Sequence, residues 1–343
     1  MAFGDRVRRL RLAAGWSQDE LARRAGVTRQ LVGAVEAGRH IPRLDAGLAL
    51  ARALGTSAEA LALPEHTEVT GVLGPLRIGE RVWLGRVGDR LVAAPVPSIG
   101  DDWAAADAIV GANGVEYLPG AELGIVLVGC EPAMGLAARL LEAHRGGRVL
   151  PVLASSEAAR DALAAGRAHG AVVHGPAATL DALAAQHRAT HGPLVRHRLA
   201  GWQVGLAAPP DARRTWWREV LAGRRTVIQR EPGAGSQVAL ERAVAAAGGA
   251  TPPGPRVAGH LEAARLAALE GRAAVTIEPA ALAAGLAFHP LERHAAELWI
   301  ALDWADHPTL VRFGDVLTSA AFQRRLAAIG GYDLSSTSRG LAS

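Results

Sequence analysis

The chain has no lysine at all, so its 37 basic residues are all arginine, and it has a single cysteine, Cys130, in 343 residues. One cysteine excludes an internal disulfide and any zinc site built from several thiolates. No apolar run reaches the roughly 18 residues a membrane span needs, so no membrane partner is expected. The start, MAFGDRVRRLRLAAG, lacks the apolar core of a signal peptide, and the expected location is the cytoplasm. The 12 histidines show no H-E-x-x-H or paired spacing, so no metal is expected. A glycine-rich loop near residue 233 lacks the lysine of a phosphate-binding P-loop and does not read G-x-G-x-x-G, which leaves nucleotide binding little support. No repeat of 20 to 50 residues is evident, which argues against a solenoid.

The charge that is present is unevenly placed. Arginine, alanine and glycine are abundant together, as a biased genome would make them, so arginine abundance by itself says little. Residues 1–63 hold ten Arg against six acids, whereas the other 27 Arg are matched by 27 acids. The whole formal excess of +4 therefore lies at the amino end, where phosphate neutralisation would use it. The length implies two or more domains and a sizeable core.

That basic segment contains SQDELARRAGVTRQLVGAVEAGR, Ser17 to Arg39. Ser17 followed by Glu20 is a capping-box pattern at a helix start. Leu21 and Ala22 give that helix an inner face, Gly26 supplies a turn, and Thr28 is a second N-cap candidate. The spacing predicts a second helix over Arg29 to Ala37, with Val32 and Val35 inward and Arg29, Gln30, Gly33 and Ala34 outward. Arginine and glutamine match guanine and adenine edges. Gly38 ends the helix, and Arg39 and Arg43 are placed to meet phosphates. A first helix is expected over Phe3 to Ala14, with Val7, Leu10 and Leu12 toward the core and Arg6, Arg8, Arg9 and Arg11 around it. Leu44 to Leu54 and Ser57 to Leu63 read as two closing helices.

Residues 3–63 resemble the Cro and phage-repressor type of helix-turn-helix domain, also called the xenobiotic-response-element family. The resemblance implies a five-helix DNA-binding bundle, with Gln18 beside a phosphate and Arg29 and Gln30 reading bases of a double-stranded operator. Gly33 and Ala34 carry no hydrogen-bonding side chain, so readout rests on few residues, with apolar contact from Ala34 and DNA shape.

Pro64 to Pro75 reads as a linker. Arg81 to Val87 and Arg90 to Val96 then alternate apolar and polar residues around Gly88-Asp89, a hairpin signal that reads as a dimerisation segment, an entry strand of the next domain or a lever between the two. From about residue 120, short apolar runs alternate with Ala-rich helical stretches, as in an open α/β sheet with crossover helices. Strands are expected at 124–128, 149–153, 171–173, 194–199, 203–207, 226–229, 256–258, 273–277 and 297–302. Helices are expected at 133–144, 157–165, 179–186, 213–222, 236–247 and 261–271, and two more within 307–329. The domain division is thus 1–63, 64–119 and 120–343.

The run Arg230-Glu231-Pro232-Gly233-Ala234-Gly235-Ser236-Gln237, the stretch Leu266 to Ile277, and the tail from Leu317 through Phe322 to Tyr332 resemble the periplasmic-binding-protein superfamily, in the branch that binds molybdate and related oxyanions. The fold class implied is multidomain: an all-α helix-turn-helix bundle followed by a two-lobed α/β domain of type II with a ligand between the lobes. The chain would leave the first lobe near 199–208 and return near 288–302.

Ligands of open α/β sheets bind beyond the carboxyl ends of strands, where helix N-termini face the crevice. The loops that qualify offer Cys130 and Glu131, Ser155 and Ser156, His174 and Gly175, Arg230, Gly233, Gly235, Ser236 and Gln237, and Glu278. Hydroxyls, amides and Arg230 suit an oxyanion, whereas Glu131 and Glu278 suit a cationic or hydroxylated ligand. The two serines are also plain helix caps, and Cys130 also reads as a small buried hydrophobe. Trp202, Trp216, Trp217, Trp299 and Trp304 read as pocket walls or core. The function expected is a dimeric, ligand-responsive DNA-binding regulator, not an enzyme. It needs no cofactor beyond an oxyanion or small organic effector, with molybdate or tungstate as the named expectation. The rivals are an enzyme with Cys130 or Ser236 as nucleophile, and a constitutive repressor with a vestigial sensor.

Overall fold

Ser17 and Thr28 both act as helix caps. Ser17 Oγ accepts from the Glu20 amide at the head of α2 (Gln18–Ala25), and Thr28 Oγ1 accepts from the Leu31 amide at the head of α3 (Arg29–Glu36). The second half of the capping box is absent, because the Glu20 carboxylate is taken by Arg23 and Arg24. Gly26, in the left-handed region, turns the chain between the two helices. The computed structural model describes residues 3–62, 69–97, 104–112, 114–335 and 338–342, in two units, Met1–Gly124 and Ile125–Ser343.

In the first unit α1 (Phe3–Ala13), α4 (Leu44–Ala53) and α5 (Ala58–Ala62) complete a five-helix bundle over Val7, Leu21, Val32, Val35, Leu50 and Leu61. Two expectations for α1 are corrected. Leu12 is exposed, while Arg6 and Arg11 are buried. The inward stripe runs through Phe3, Val7 and Leu10, and the two arginines beside it enter because acceptors stand there. Arg6 donates to the Leu61 carbonyl, and Arg11 forms a two-pronged pair with Glu36 at 2.7 and 2.9 Å.

The rest of this unit is a five-stranded sheet of β1 (Val69–Gly71), β2 (Arg81–Val87), β3 (Arg90–Pro95), β4 (Ala108–Gly111) and β5 (Gly114–Tyr117), in the order β1-β3-β2-β4-β5. The hairpin read around Gly88-Asp89 is β2 and β3. The other three strands have no counterpart in the sequence reading, since three or four residues are too few to show alternation. Of the stretch read as linker, 64–68 lies outside the described residues and Val69–Gly71 pairs with β3. Internal contacts carry this unit through Gly124, whose amide donates to Leu84.

The second unit alternates strands and helices: β6 (Ile125–Gly129), α6 (Pro132–Ala143), β7 (Val149–Val152), α7 (Ser156–Ala164), β8 (Gly170–Gly175), α8 (Ala177–His191), β9 (Leu194–Ala208), α9 (Trp216–Leu221), β10 (Val227–Arg230), α10 (Gly235–Ala246), β11 (Arg256–Val257), α11 (His260–Glu270), β12 (Ala273–Ile277), α12 (Glu278–Ala283) and β13 (Ala287–Ala301). Two helices, α13 (Pro308–Thr318) and α14 (Ala320–Ile329), and a last strand, β14 (Ser338–Ala342), follow. The sheet order is β11-β10-β12-β9-β13-β8-β6-β7. Parallel strands β7, β6 and β8 form one half, and β12, β10 and β11 the other.

The 15-residue strands β9 and β13 run antiparallel through both halves. They are the crossover expected near 199–208 and 288–302. The two strands read at 194–199 and 203–207 are one, and the strand read from 297 begins at Ala287. Gly201 breaks the apolar pattern without breaking the strand, because its amide and carbonyl are exchanged with those of Asp333 in the tail. Trp216 joins the smaller core beside β10 and β12, Trp299 is fully buried with its indole donating to Glu297, Trp217 stacks on His289, and Trp304 meets His169 edge to face.

Candidate functional site

On the helical bundle, Thr28 caps α3, and Arg29 and Gln30 stand exposed on its first turn, Arg29 beside Asp19. Gly33 and Ala34 are half-buried on the same helix, and Arg39 and Arg43 are exposed beyond its end. Gln18 is half-buried, and its amide donates to Glu36 Oε2 at 2.9 Å. Burial raises the Glu36 pKa, but the hydrogen bonds from Arg11 and Gln18 outweigh it and hold the carboxyl below its usual range. One ionised carboxylate thus ties α1, α2 and α3 together and holds the exposed face of α3 at a fixed angle.

In the second unit, loops at the carboxyl ends of the parallel strands converge on the middle of β9 and β13. Cys130 and Glu131 follow β6, His174 and Gly175 end β8, Arg230 ends β10, and His260 opens α11 beyond β11. Trp202 and His294 are cross-strand partners of β9 and β13, so both project on one face of the sheet. Tyr332 closes one side, its hydroxyl donating to Glu131 Oε1 at 2.7 Å. The rings join in sequence, with centroids of Tyr332 and Trp202 6.1 Å apart, Trp202 and His174 5.6 Å apart, and His174 and His260 5.3 Å apart.

Four buried polar atoms of these loops and strands have no hydrogen-bond partner among the described residues: Glu131 Oε2, His174 Nε2, Trp202 Nε1 and Ser236 Oγ. A folded protein rarely leaves such groups unmatched, and each costs stability unless something arrives to pair with it. Helices α6, α7, α10 and α11 all begin in these loops. Glu131 and Ser155 cap the first two, through the Ala133 and Ala158 amides, whereas no N-cap side chain covers the start of α10 or α11. Gly235 lets α10 come close: a Cβ there would lie 3.0 Å from His174 Cε1. The region therefore offers free helix-start amides in a positive local field.

Arg230 is fully buried and already engaged. It donates to Glu231, to the carbonyls of Val257 and Ala258, and through Nη1 to His260 Nδ1 at 2.7 Å. Since guanidinium only donates, His260 Nδ1 accepts and its Nε2 carries the hydrogen, which points at Cys130 Sγ 3.5 Å away. This tautomer bears on two chemical questions. Cys130, His174 and His260 present ligand atoms within 4.8 Å of one another, but a cation needs the His260 Nε2 lone pair that this tautomer does not have. The same proton prevents His260 from acting as a base toward Cys130, whose thiol burial pushes up to about 11. Ser236 Oγ has no hydrogen-bond partner among the described residues.

Not every expected ligand residue faces this region. Ser155 is the cap of α7, and Ser156 Oγ accepts from the His174 amide, so both hydroxyls hold the fold. Gln237 binds the Arg230 amide, Gln229 and Glu241, which spends its side chain on the end of β10. Gly233, in the left-handed region at a φ of 78°, faces the Glu157 side chain of α7. Glu278 opens α12 against Gly331. Conversely, His260, Tyr332, Glu292 and His294 lie beside these residues and were not singled out as ligand residues, and Trp202 was read only as a pocket wall or core. His260 obeys the same rule that found the others, a polar residue at a helix start after a strand. His294 and Glu292 sit mid-strand, where no local signal marks them.

Residues 137–318 match the family described as PBP superfamily domain, and residues 2–63 match the one described as helix-turn-helix domain. An uncharacterized HTH-type transcriptional regulator of Methanothermobacter thermautotrophicus is 49% identical over 49 residues, which are 14% of this chain and 71% of that protein. Among solved structures, the restriction-modification controller protein of Aeromonas hydrophila is 44% identical over 17% of this chain and 89% of its own, with a TM-score of 0.17. The tungstate ABC transporter of Geobacter sulfurreducens is 14% identical over 60% of this chain and 97% of its own, with a TM-score of 0.43. No helix among the described residues is long and apolar enough to cross a membrane.

Proposed function

The chain belongs to the PBP (periplasmic-binding-protein) superfamily and is a helix-turn-helix transcription regulator, and from that premise we propose that it binds its operator as a dimer under the control of a small polar ligand held at the centre of its second unit. One observation carries the sensor reading: among the described residues, four buried polar atoms without partners belong to residues at or beside the strand-end loops where four helices begin. Unmatched groups of this kind are what a ligand-free polar site leaves behind. The oxyanion class is favoured by the uncapped starts of α10 and α11 and by the Ser236 hydroxyl and Trp202 indole donors. A ligand changes DNA affinity only if it binds the two states of the chain unequally.

The test selects duplexes from a random pool with the full chain and then titrates the selected duplex with and without a panel of oxyanions and small metabolites. The expected selection is a palindrome with half-sites about one helical turn, roughly 34 Å, apart. At least one panel member should shift the affinity, and Gly235→Leu, which drives a side chain into His174, should abolish the shift while leaving ligand-free DNA binding in place. Selection of a single half-site overturns the dimer. DNA affinity that ignores the whole panel returns the chain to a constitutive repressor with a vestigial sensor.

A further inference from the structure

Three acids lie on α2 and α3, and each is matched to a partner. Glu36 is spent on Arg11 and Gln18, and Glu20 on Arg23 and Arg24, so both serve the bundle itself. Asp19 differs. Its Oδ2 lies 3.3 Å from Nε of Arg29, the first residue of α3, and the two side chains are 71% and 67% exposed. An ion pair so open to water adds little to stability. Its effect falls instead on how Arg29 meets a duplex.

A guanidinium offers paired hydrogens along its side, from Nε and one Nη, or at its tip, from both Nη. Asp19 stands at Nε and takes the side. The tip is left, and two parallel hydrogens there match O6 and N7 of guanine. The pairing also acts on charge. An arginine beside a duplex is drawn to the phosphates, which carry no sequence information. Paired with Asp19, Arg29 is formally neutralised and that pull falls, while the hydrogens of its tip remain. Arg39 and Arg43, the arginines expected at phosphates, have no ion-pair partner among the described residues. The arginine expected to read a base is the one held by an acid.

Resting on the reading of Arg29 as a base contact, we propose that Asp19 is a positioning residue for operator recognition. It presents the Arg29 guanidinium tip-first and withholds its charge from phosphates, and so sets the preference for guanine at the base that Arg29 meets.

The experiment selects duplexes from a random pool with the full chain and with Asp19→Ala, Asp19→Asn, Arg29→Ala and the double alanine variant. The selected duplex, its guanine-to-adenine exchange and a scrambled duplex are then titrated at several salt concentrations. The unaltered chain should select a guanine that Arg29→Ala loses. Asp19→Ala should lower discrimination at that position about two- to fivefold, the worth of an exposed pair, and leave the other positions alone. It should at the same time tighten binding to the scrambled duplex and steepen its slope of log affinity against log salt by up to about one. Asp19→Asn, which keeps an oxygen beside Nε without the charge, should fall between. Once Arg29 is alanine, Asp19→Ala should change discrimination no further.

An acid that merely suits the start of α2 through the helix dipole gives a different result: its removal lowers the urea midpoint and weakens every duplex alike. That result, or unchanged discrimination in Asp19→Ala, overturns the proposal and leaves Arg29 as a base contact. Selection that ignores Arg29→Ala overturns both.

Discussion

Glu131 shows how one side chain holds two tasks in tension. Its Oε1 caps α6 and accepts from Tyr332, while its Oε2 is buried with no hydrogen-bond partner among the described residues. Burial pushes its pKa up to about 7 against the opposing hydrogen bonds from Ala133 and Tyr332. Between the ordinary carboxyl range and pH 7 the folded chain therefore keeps a proton that the unfolded chain has lost, so this residue costs stability as pH rises through that window. The full cost above pH 7 is on the order of 3 kcal/mol. Glu131→Gln keeps an oxygen for both hydrogen bonds and removes the titration. Urea unfolding of both proteins at pH 5 and pH 8 should show the variant gaining on the unaltered chain as pH rises, and a difference that does not move with pH refutes this account. The buried neutral histidines His174 and His260 act in the opposite sense below their ordinary range, which is why the difference between the two proteins is the informative quantity.

Among the elements, β6 and β8 carry the clearest constraint. Gly129 is paired with Val172, and a Cβ at Gly129 would come within 2.4 Å of the Val172 carbonyl oxygen. Gly129→Ala forces the strands apart one residue before Cys130 and two before His174, and should cost about 1–3 kcal/mol, as overpacking does. Gly135 in α6 has open space around its would-be Cβ, so Gly135→Ala should be neutral or stabilise by a few tenths to about 1 kcal/mol. Unfolding of the two variants side by side checks both signs. Strong periodicity made these elements readable in advance, α10 and α11 to within a residue or two. Where the pattern was interrupted by Gly201, or where polar residues filled the first half of β13, a strand held by its neighbours did not announce itself.

For the molecule as a whole, the formal excess of +4 sits on residues 1–63 and nowhere else. Binding to DNA should then weaken steeply with salt. Arg39→Ala, if Arg39 meets a phosphate, lowers the slope of log affinity against log salt by about one and weakens all sequences alike. Arg29→Ala, by contrast, should lose preference at one position of the half-site. Titrations of a selected and a scrambled duplex at several salt concentrations separate the two, and a slope unchanged by Arg39→Ala removes that residue from the interface.

By itself the sequence determined what depends on neighbours along the chain. Capping residues, helical spacing, the glycine turn and the charge imbalance are all local, and so the DNA-reading helices and the alternation of strands and helices could be read directly. The same holds for Cys130, Glu131, His174, Arg230 and Ser236, because the rule that strand ends face a crevice needs only the strand and the loop after it. Tertiary structure alone decided the chemistry. It brought His260, His294, Trp202 and Tyr332 from four distant segments to one point, assigned Ser155, Ser156 and Gln237 to holding the fold, and spent Arg230 on Glu231 and His260. Which atom holds a proton depends on what faces it across space, and no spacing along a chain records that.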